Sequence, residues 1–340
     1  IAGDPGVERV WMVWQGPEGA GSSGAVPTEV ALGSIRKWTT AAVILSLVED
    51  GVLDLDAPVG RWLPAWSERP GVTLRRLLSH TSGLPMRPPP GTCAGLGTLE
   101  ACVERCADVA PLFEPGARFG YSSLGFQVAA RAAEATTHTP WETLFKERLA
   151  DPAGLEQWRF EAAGDGLADM DGILWMAPMD LVRFVGAMHS GSVLSDRARQ
   201  EMGAGQTGGV PKVGAIPRGD WWLPGDDPHG LGVWRAQSHE GQARFWFSEG
   251  KQRVVAWVDR VQDRVVVAGV HYDGAVAVAD RVAPHDVIHA VCVAHESGAE
   301  ADVACLPFVG TEAQLQIYRS CRRGNGPHRI CMAGAQRAAR

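Results

Sequence analysis

Ser34 and Lys37 stand three residues apart where a long apolar run opens, GSIRKWTTAAVILSLVEDG, residues 33–51. On a helix, residues at i and i+3 share a face, so hydroxyl and amine project together near the N-terminus. That pairing has a chemical use. Burial disfavours a charged ammonium, and a neutral amine can take the hydroxyl proton and make serine a nucleophile. The free N–H groups of a helix start can then stabilise an oxyanion. The plain alternative is a helix N-cap, a common role for serine. Against it, lysine is unfavourable at the positive end of a helix dipole. Trp38 and the apolar residues behind it also leave Lys37 little access to water.

The chain continues through LDLDAPVG (53–60) and VTLRRLLSHTSGLP (72–85), then PLFEPGARFGYSSLGFQVAARAAE (111–134) and WETLFKERLADPAGLEQWRF (141–160). In this order the segments resemble the serine β-lactamase and penicillin-binding-protein-like family, in particular its class C-related branch of carboxypeptidases and esterases. The resemblance covers roughly residues 30–275. It implies an α/β (α+β) β-lactamase-like fold, a mostly antiparallel sheet flanked by helices plus a helical subdomain, with the site in the cleft between them. Ser34 would be the acylated nucleophile, Lys37 its general base, and Tyr121 the phenol that carries a proton between nucleophile and leaving group. A phenol can do so where cationic or hydrogen-bonding neighbours favour its anion. Ser123 stands where the family's Y-x-N motif has asparagine, and its hydroxyl can still bond substrate or Lys37.

The family's third motif, K-T-G or H-x-G on a strand, has two candidates here. Ser248-Glu249-Gly250 lies eleven residues before Asp259 and follows HGLGVW (229–234), as the resemblance requires. His239-Glu240-Gly241 matches the letters but sits too far from Asp259. The first choice makes Ser248 and Gly250 substrate-binding and places the N–H of Lys251 beside that of Ser34 in an oxyanion hole. Glu249 would be electrostatically unhelpful there unless it points outward. The implied activity is that of a serine hydrolase working through an acyl-enzyme on an amide, ester or β-lactam carbonyl, with no metal or organic cofactor. Ser123 and the irregular third motif motivate the alternative, a catalytically inactive penicillin-binding-like protein with a ligand-binding or regulatory role. The expected partner is a small-molecule or peptidoglycan-peptide-like substrate, and the expected state a monomer.

The elements that must hold these residues follow from periodicity. Ile35, Trp38, Ala41, Ala42, Leu45 and Val48 recur at helical spacing, Ile44 and Leu47 widen the apolar surface, and Gly51 sits where a C-terminal cap belongs. A helix apolar nearly all round is central and buried. Thr73 caps a short helix, and helical patterns return near 98–109, 123–135, 141–150, 178–189 and 282–294. Strands are expected at 8–14, 243–248, 253–259 and 264–271. One sheet closed by both ends of the chain, with helices inserted, accounts for this order. The family has two strands before the nucleophile helix, and the short N-terminal region predicts an edge strand that is missing or irregular. GPEGAGSSGAVP reads as a flexible connection, and 86–97 and 204–229 as loops. The division is residues 1–297 for the hydrolase domain, with the helical subdomain at roughly 72–210, and 298–340 for a basic, cysteine-containing extension.

A net charge of −7 gives no support to nucleic-acid binding, and no apolar stretch is long enough for a transmembrane segment. The six arginines from Ala313 to Arg340 read as a solvated basic tail. Seven cysteines without CxxC spacing suit disulfides of a periplasmic or extracellular protein better than zinc, with one thiol left over. Gly19 to Gly24 spell GxGxxG, but no helix opens there to face a pyrophosphate, so the match is chance. His285, His289, Cys292 and His295 share a helical face without an HExxH or a carboxylate base, and a structural helix is the reading preferred to zinc. Gly120-Tyr121-Ser122 begins like a nucleophile elbow but has Leu124 in place of the last glycine. His80, in the turn after a short helix, is expected to satisfy backbone groups.

Overall fold

The structure, a computed structural model, describes residues 7–161, 173–213, 229–239, 242–250 and 254–272. The expected helix at 282–294, the histidine set on it, the proposed boundary at 297, the extension 298–340 and Lys251 all lie outside the described residues.

Strands β1 (Val7–Gly16) and β2 (Gly19–Gly24) form an N-terminal hairpin, and β3 (Val30–Ala31) leads into a 3₁₀ turn at Gly33–Ile35 and helix α1 (Arg36–Glu49). The helical region follows: α2 (Leu74–Leu78), α3 (Leu99–Cys106), the two-residue β4 (Phe119–Gly120), α4 (Leu124–Thr137), α5 (Trp141–Phe145) and α6 (Asp151–Ala153). After it come β5 (Trp158–Glu161), β6 (Ile173–Met176), α7 (Pro178–Ser190), α8 (Asp196–Gly203) and β7 (Lys212–Val213). Strands β8 (Trp234–His239), β9 (Gln242–Gly250), β10 (Val254–Asp259) and β11 (Arg264–Tyr272) complete the main sheet.

Among the described residues that sheet has six strands in the order β2-β1-β11-β10-β9-β8, with every neighbouring pair antiparallel. The N-terminal hairpin therefore closes onto the last described strand. Both strands before the nucleophile helix are present, which corrects the expectation of a missing edge strand. It also corrects the reading of the glycine-rich stretch as a loop, because six of its residues are β2. The glycines have a packing reason. Gly21 pairs with Trp14, and a Cβ on Gly21 would lie 2.4 Å from the Trp14 indole. The indole covers the glycine backbone across the pair, an arrangement that fills the gap an edge glycine leaves.

Helix α1 runs through the core, and every residue from Lys37 to Leu47 on it is buried. Burial of side chains such as Ile44, Leu45 and Leu47 stabilises by about 1.5–3 kcal/mol each. Its first turn is held by neighbours: Trp38 packs edge-on to Phe184 of α7 at 5.5 Å and directs its indole N–H to Met202 Sδ of α8 at 3.3 Å. The hydroxyls of Thr39 and Thr40 both donate to the Arg36 carbonyl, at 2.8 and 2.9 Å, so these buried polar groups are satisfied within the helix. Helices α3, α4 and α7 fall within a few residues of their expected spans. The span 141–150 is a short α-helix that widens into a π turn at Lys146–Ala150.

Candidate active site

Ser34 lies inside the 3₁₀ turn, one residue before the cap position of α1, and neither the turn nor the helix has a side-chain cap. Its hydroxyl is therefore not spent on backbone amides, which removes the N-cap reading. The Ser34 Oγ lies 3.4 Å from Lys37 Nζ, and the Tyr121 side chain also hydrogen-bonds Ser34. Lys37 is only 9% exposed, and its Nζ sits over the rings of Tyr121 and Phe126, 4.8 and 5.9 Å from their centroids. Ser34, Lys37 and Tyr121 are thus brought together from α1 and from the segment between β4 and α4.

The reason Tyr121 stands there is His80. The chain enters the left-handed region at this residue, with φ of 61°. The His80 carbonyl accepts from the N–H of Gly120 at 2.8 Å, and its Nδ1 accepts from the N–H of Ser122 at 2.9 Å. The imidazole itself stacks on the phenol ring between those two residues, 4.2 Å centroid to centroid. One residue therefore grips the backbone on both sides of Tyr121 and supports its ring. Trp234 stacks nearly parallel to the phenol at 5.9 Å, and His229 lies edge-on to both His80 and Trp234 at 4.7 and 4.5 Å. The HTSGLP and HGLGVW segments signal this aromatic surround in the sequence, but nothing in their spacing says that the two histidines meet.

Burial sets the ionisation of the surround. It holds His80 well below the ordinary histidine value and takes His229 down to about 3, with the Lys37 cation adding to both effects. The His229 Nδ1–H donates to the Gly230 carbonyl at 2.6 Å. Both rings are thus neutral at physiological pH. Burial also pushes the Tyr121 phenol up, opposed by the bond to Ser34 and reinforced by the charge of Glu249. Burial outweighs the bond to Ser34, so the phenol is held towards its protonated form.

Gly232 fixes the approach of the HGLGVW segment to α1. It has φ of +72°, and a Cβ there would lie 2.6 Å from both the Lys37 carbonyl oxygen and the Ala41 Cβ. Its N–H donates to the Leu78 carbonyl at 2.9 Å, tying the segment to the end of α2.

The other expected site residues are placed differently. The Ser123 hydroxyl is directed at Met86 Sδ, 3.9 Å away, and not at Lys37, because the Ser123 N–H is bonded to the Met86 carbonyl and holds the two residues together. Ser248 is buried in β9 opposite Ala256, and Gly250 ends the strand opposite Val254. Strand β9 packs against the 3₁₀ turn that carries Ser34. Glu249 between them is half-buried, and burial raises its carboxyl to about 7. His239 pairs with Gln242 at the end of β9 remote from Gly250, and Glu240 and Gly241 lie outside the described residues. Among the described residues one cluster has the ligand atoms for a metal, Cys93, Cys102 and Cys106, and there Cys93 and Cys102 form a disulfide and Cys106 is a buried thiol.

An antiparallel sheet and a helical region meet at a half-buried serine and a buried lysine, with a tyrosine hydroxyl on the serine, the layout of a β-lactamase-like fold. The chain belongs to the Beta-lactamase family, whose model matches residues 28–287. It is 35% identical over 144 residues to penicillin-binding protein 4 of Amycolatopsis lactamdurans, across 40% of this chain and 38% of that protein. It is 32% identical over 151 residues to esterase EstB of Burkholderia gladioli, across 39% of this chain and 38% of that protein. The chain thus matches little more than a third of the length of these relatives. A solved structure from Bacteroides dorei DSM 17855, provisionally named a beta-lactamase, is 26% identical with a TM-score of 0.70, covering 79% of this chain and 87% of that one.

Proposed function

We propose that the protein is a serine hydrolase that opens amide, ester or β-lactam carbonyls through an acyl-enzyme. The observation that carries this reading is Ser34 Oγ held between Lys37 Nζ and the Tyr121 hydroxyl. Ser34 attacks the carbonyl carbon and its proton passes to the Lys37 amine, a transfer for which a distance of 3.4 Å in an unliganded site needs only slight tightening. The N–H of Ser34 and that of Lys251 hold the developing oxyanion. The phenol of Tyr121, kept protonated by burial, gives its proton to the leaving group as the tetrahedral intermediate collapses. Water then releases the acid from Ser34, with the same groups working in reverse. Ser248, Gly250 and the edge of β9 line the substrate, and Ser123 serves the substrate side of the cleft. No metal or organic cofactor enters.

The substrate class is a small molecule or a peptidoglycan-like peptide, the working state a monomer, and the compartment periplasmic or extracellular. The Cys93–Cys102 disulfide supports an oxidising compartment, and no described helix is long and apolar enough to cross a membrane. The test is covalent labelling with a fluorophosphonate, followed by turnover of nitrocefin, p-nitrophenyl esters and D-amino-acid amides. A single adduct on the Ser34 peptide, absent in Ser34→Ala, is expected together with turnover of at least one substrate. An unlabelled native protein that turns over none of them overturns the reading.

A further inference from the structure

Glu249 is the feature that the hydrolase reading leaves unexplained. It sits on β9 between Ser248 and Gly250, on the strand that packs against the Ser34 turn. Strand β9 pairs with β10 as far as Gly250, but its ladder with β8 begins only at Phe247. Residues 248–250 therefore present one edge free of β8, on the strand that packs against the Ser34 turn. The Glu249 side chain is half-buried, and its charge is felt at the Tyr121 phenol that bonds Ser34. It has no hydrogen bond and no ion pair among the described residues, although a carboxylate that has lost part of its hydration ordinarily has a partner. Among the described residues, the nearby ionisable groups offer it none: Lys37 faces the Tyr121 and Phe126 rings, and His80 and His229 are neutral. Elsewhere the molecule does pair its buried carboxylates, as Asp259 with Arg244 and Asp180 with Arg183.

Resting on the hydrolase reading, we infer that Glu249 is the recognition point for a positively charged group, an ammonium or guanidinium, on the substrate. The missing counter-ion arrives with the ligand. The same carboxylate repels substrates that carry a carboxylate near the scissile carbonyl, a like-charge contact that selects by exclusion as much as by attraction. The preferred substrates are thus esters or amides bearing a cation, and carboxylate-bearing peptides and β-lactams are poor ones.

Three p-nitrophenyl esters of similar chain length test this: ε-aminocaproate (cationic), heptanoate (neutral) and monoadipate (anionic). Measured at about pH 8.5, where a raised carboxyl is ionised, kcat/KM is expected to favour the cationic over the anionic ester by at least about tenfold. Glu249→Gln is expected to bring that ratio towards one. Calorimetric binding of the same esters to Ser34→Ala protein reads recognition without turnover. There the cationic ester is expected to bind at least about tenfold tighter than the anionic one, and the preference should vanish when Glu249→Gln is added. Equal kcat/KM for the charged esters in the native protein, or a ratio that survives Glu249→Gln, overturns the inference while leaving the hydrolase intact. A charge preference in binding with no hydrolysis of any ester supports the inference and counts against the hydrolase reading instead.

Discussion

At the scale of single residues, the site depends on two contacts to one hydroxyl and on one histidine that places the second partner. Lys37 must lose and regain a proton, which a guanidinium cannot do at accessible pH. Lys37→Arg is therefore expected to lower the rate of fluorophosphonate labelling by about 10²–10⁴-fold, the usual worth of a positioned base. The protein should remain folded by circular dichroism. His80 acts through Tyr121, stacking on its ring and bonding the backbone on both sides of it. His80→Phe keeps a ring beneath the phenol but leaves the buried Ser122 N–H without the Nδ1 acceptor now 2.9 Å away. An orphaned buried donor costs about 1–3 kcal/mol, and the freed segment lets the phenol drift. The expected outcome is a fall in kcat larger than any change in KM, with His80→Asn, whose side chain can accept the same bond, recovering part of it. A variant that loses stability but keeps full kcat would reduce His80 to a packing residue.

At the scale of elements, the chain reads clearly wherever contacts are local. Helix α1 and the short helix after Thr73 follow from apolar spacing and a cap, and the Thr73 side chain does accept from the Arg76 N–H at 3.3 Å. The N-terminal hairpin does not read, because the reason for its glycines lies across the strand pair in Trp14 and not beside them in sequence. The serine, lysine and tyrosine of the site are legible through the segments around them. The aromatic packing behind Tyr121 is not, since His80, Trp234 and His229 converge from separate loops. Asp180 illustrates a junction of the same non-local kind. It is buried in the first turn of α7, where its Oδ2 accepts from the N–H groups of Glu156 and Gln157 at 3.1 and 2.6 Å and its Oδ1 accepts from Arg183 at 2.5 Å. One carboxylate thus fastens the start of β5 to α7. Asp180→Ala strands two amides, while the half-exposed Arg183 can rehydrate, so a loss of about 2–4 kcal/mol is expected. Urea unfolding should show it as a lower midpoint with an unchanged slope.

At the scale of the whole molecule, burying ionisable groups around one cleft gives stability a defined pH dependence, with two opposing signs. His80 and His229 have native values far below the ordinary 6.5. Below about pH 6.5 the unfolded chain takes up two protons that the native state refuses, and stability falls as pH falls. Glu249 works the other way: its native value near 7 lies above the ordinary 4.5, so between those values the native state holds a proton that the unfolded chain has released. Its contribution is present at low pH and declines as pH rises through about 7. Between about pH 4.5 and 6.5 His80 and His229 outweigh Glu249 by about one proton, or about 1.4 kcal/mol per pH unit, towards greater stability at higher pH, while the lowered His189 and the raised Glu134 add contributions of opposite sign. Above about pH 6.5 the histidine contribution is complete and the carboxyl alone acts, so the curve turns down until about pH 8. Stability is therefore expected to peak close to pH 6.5–7 in unfolding titrations run from about pH 5 to 8.5. Glu249→Gln, which keeps the shape and cannot ionise, should steepen the acid limb to about two protons and abolish the decline above neutrality, so that the maximum becomes a plateau. If the native protein and Glu249→Gln instead trace the same curve above about pH 6.5, the carboxyl is not buried at the cleft as described, and the case for its awaiting a cationic substrate falls with it.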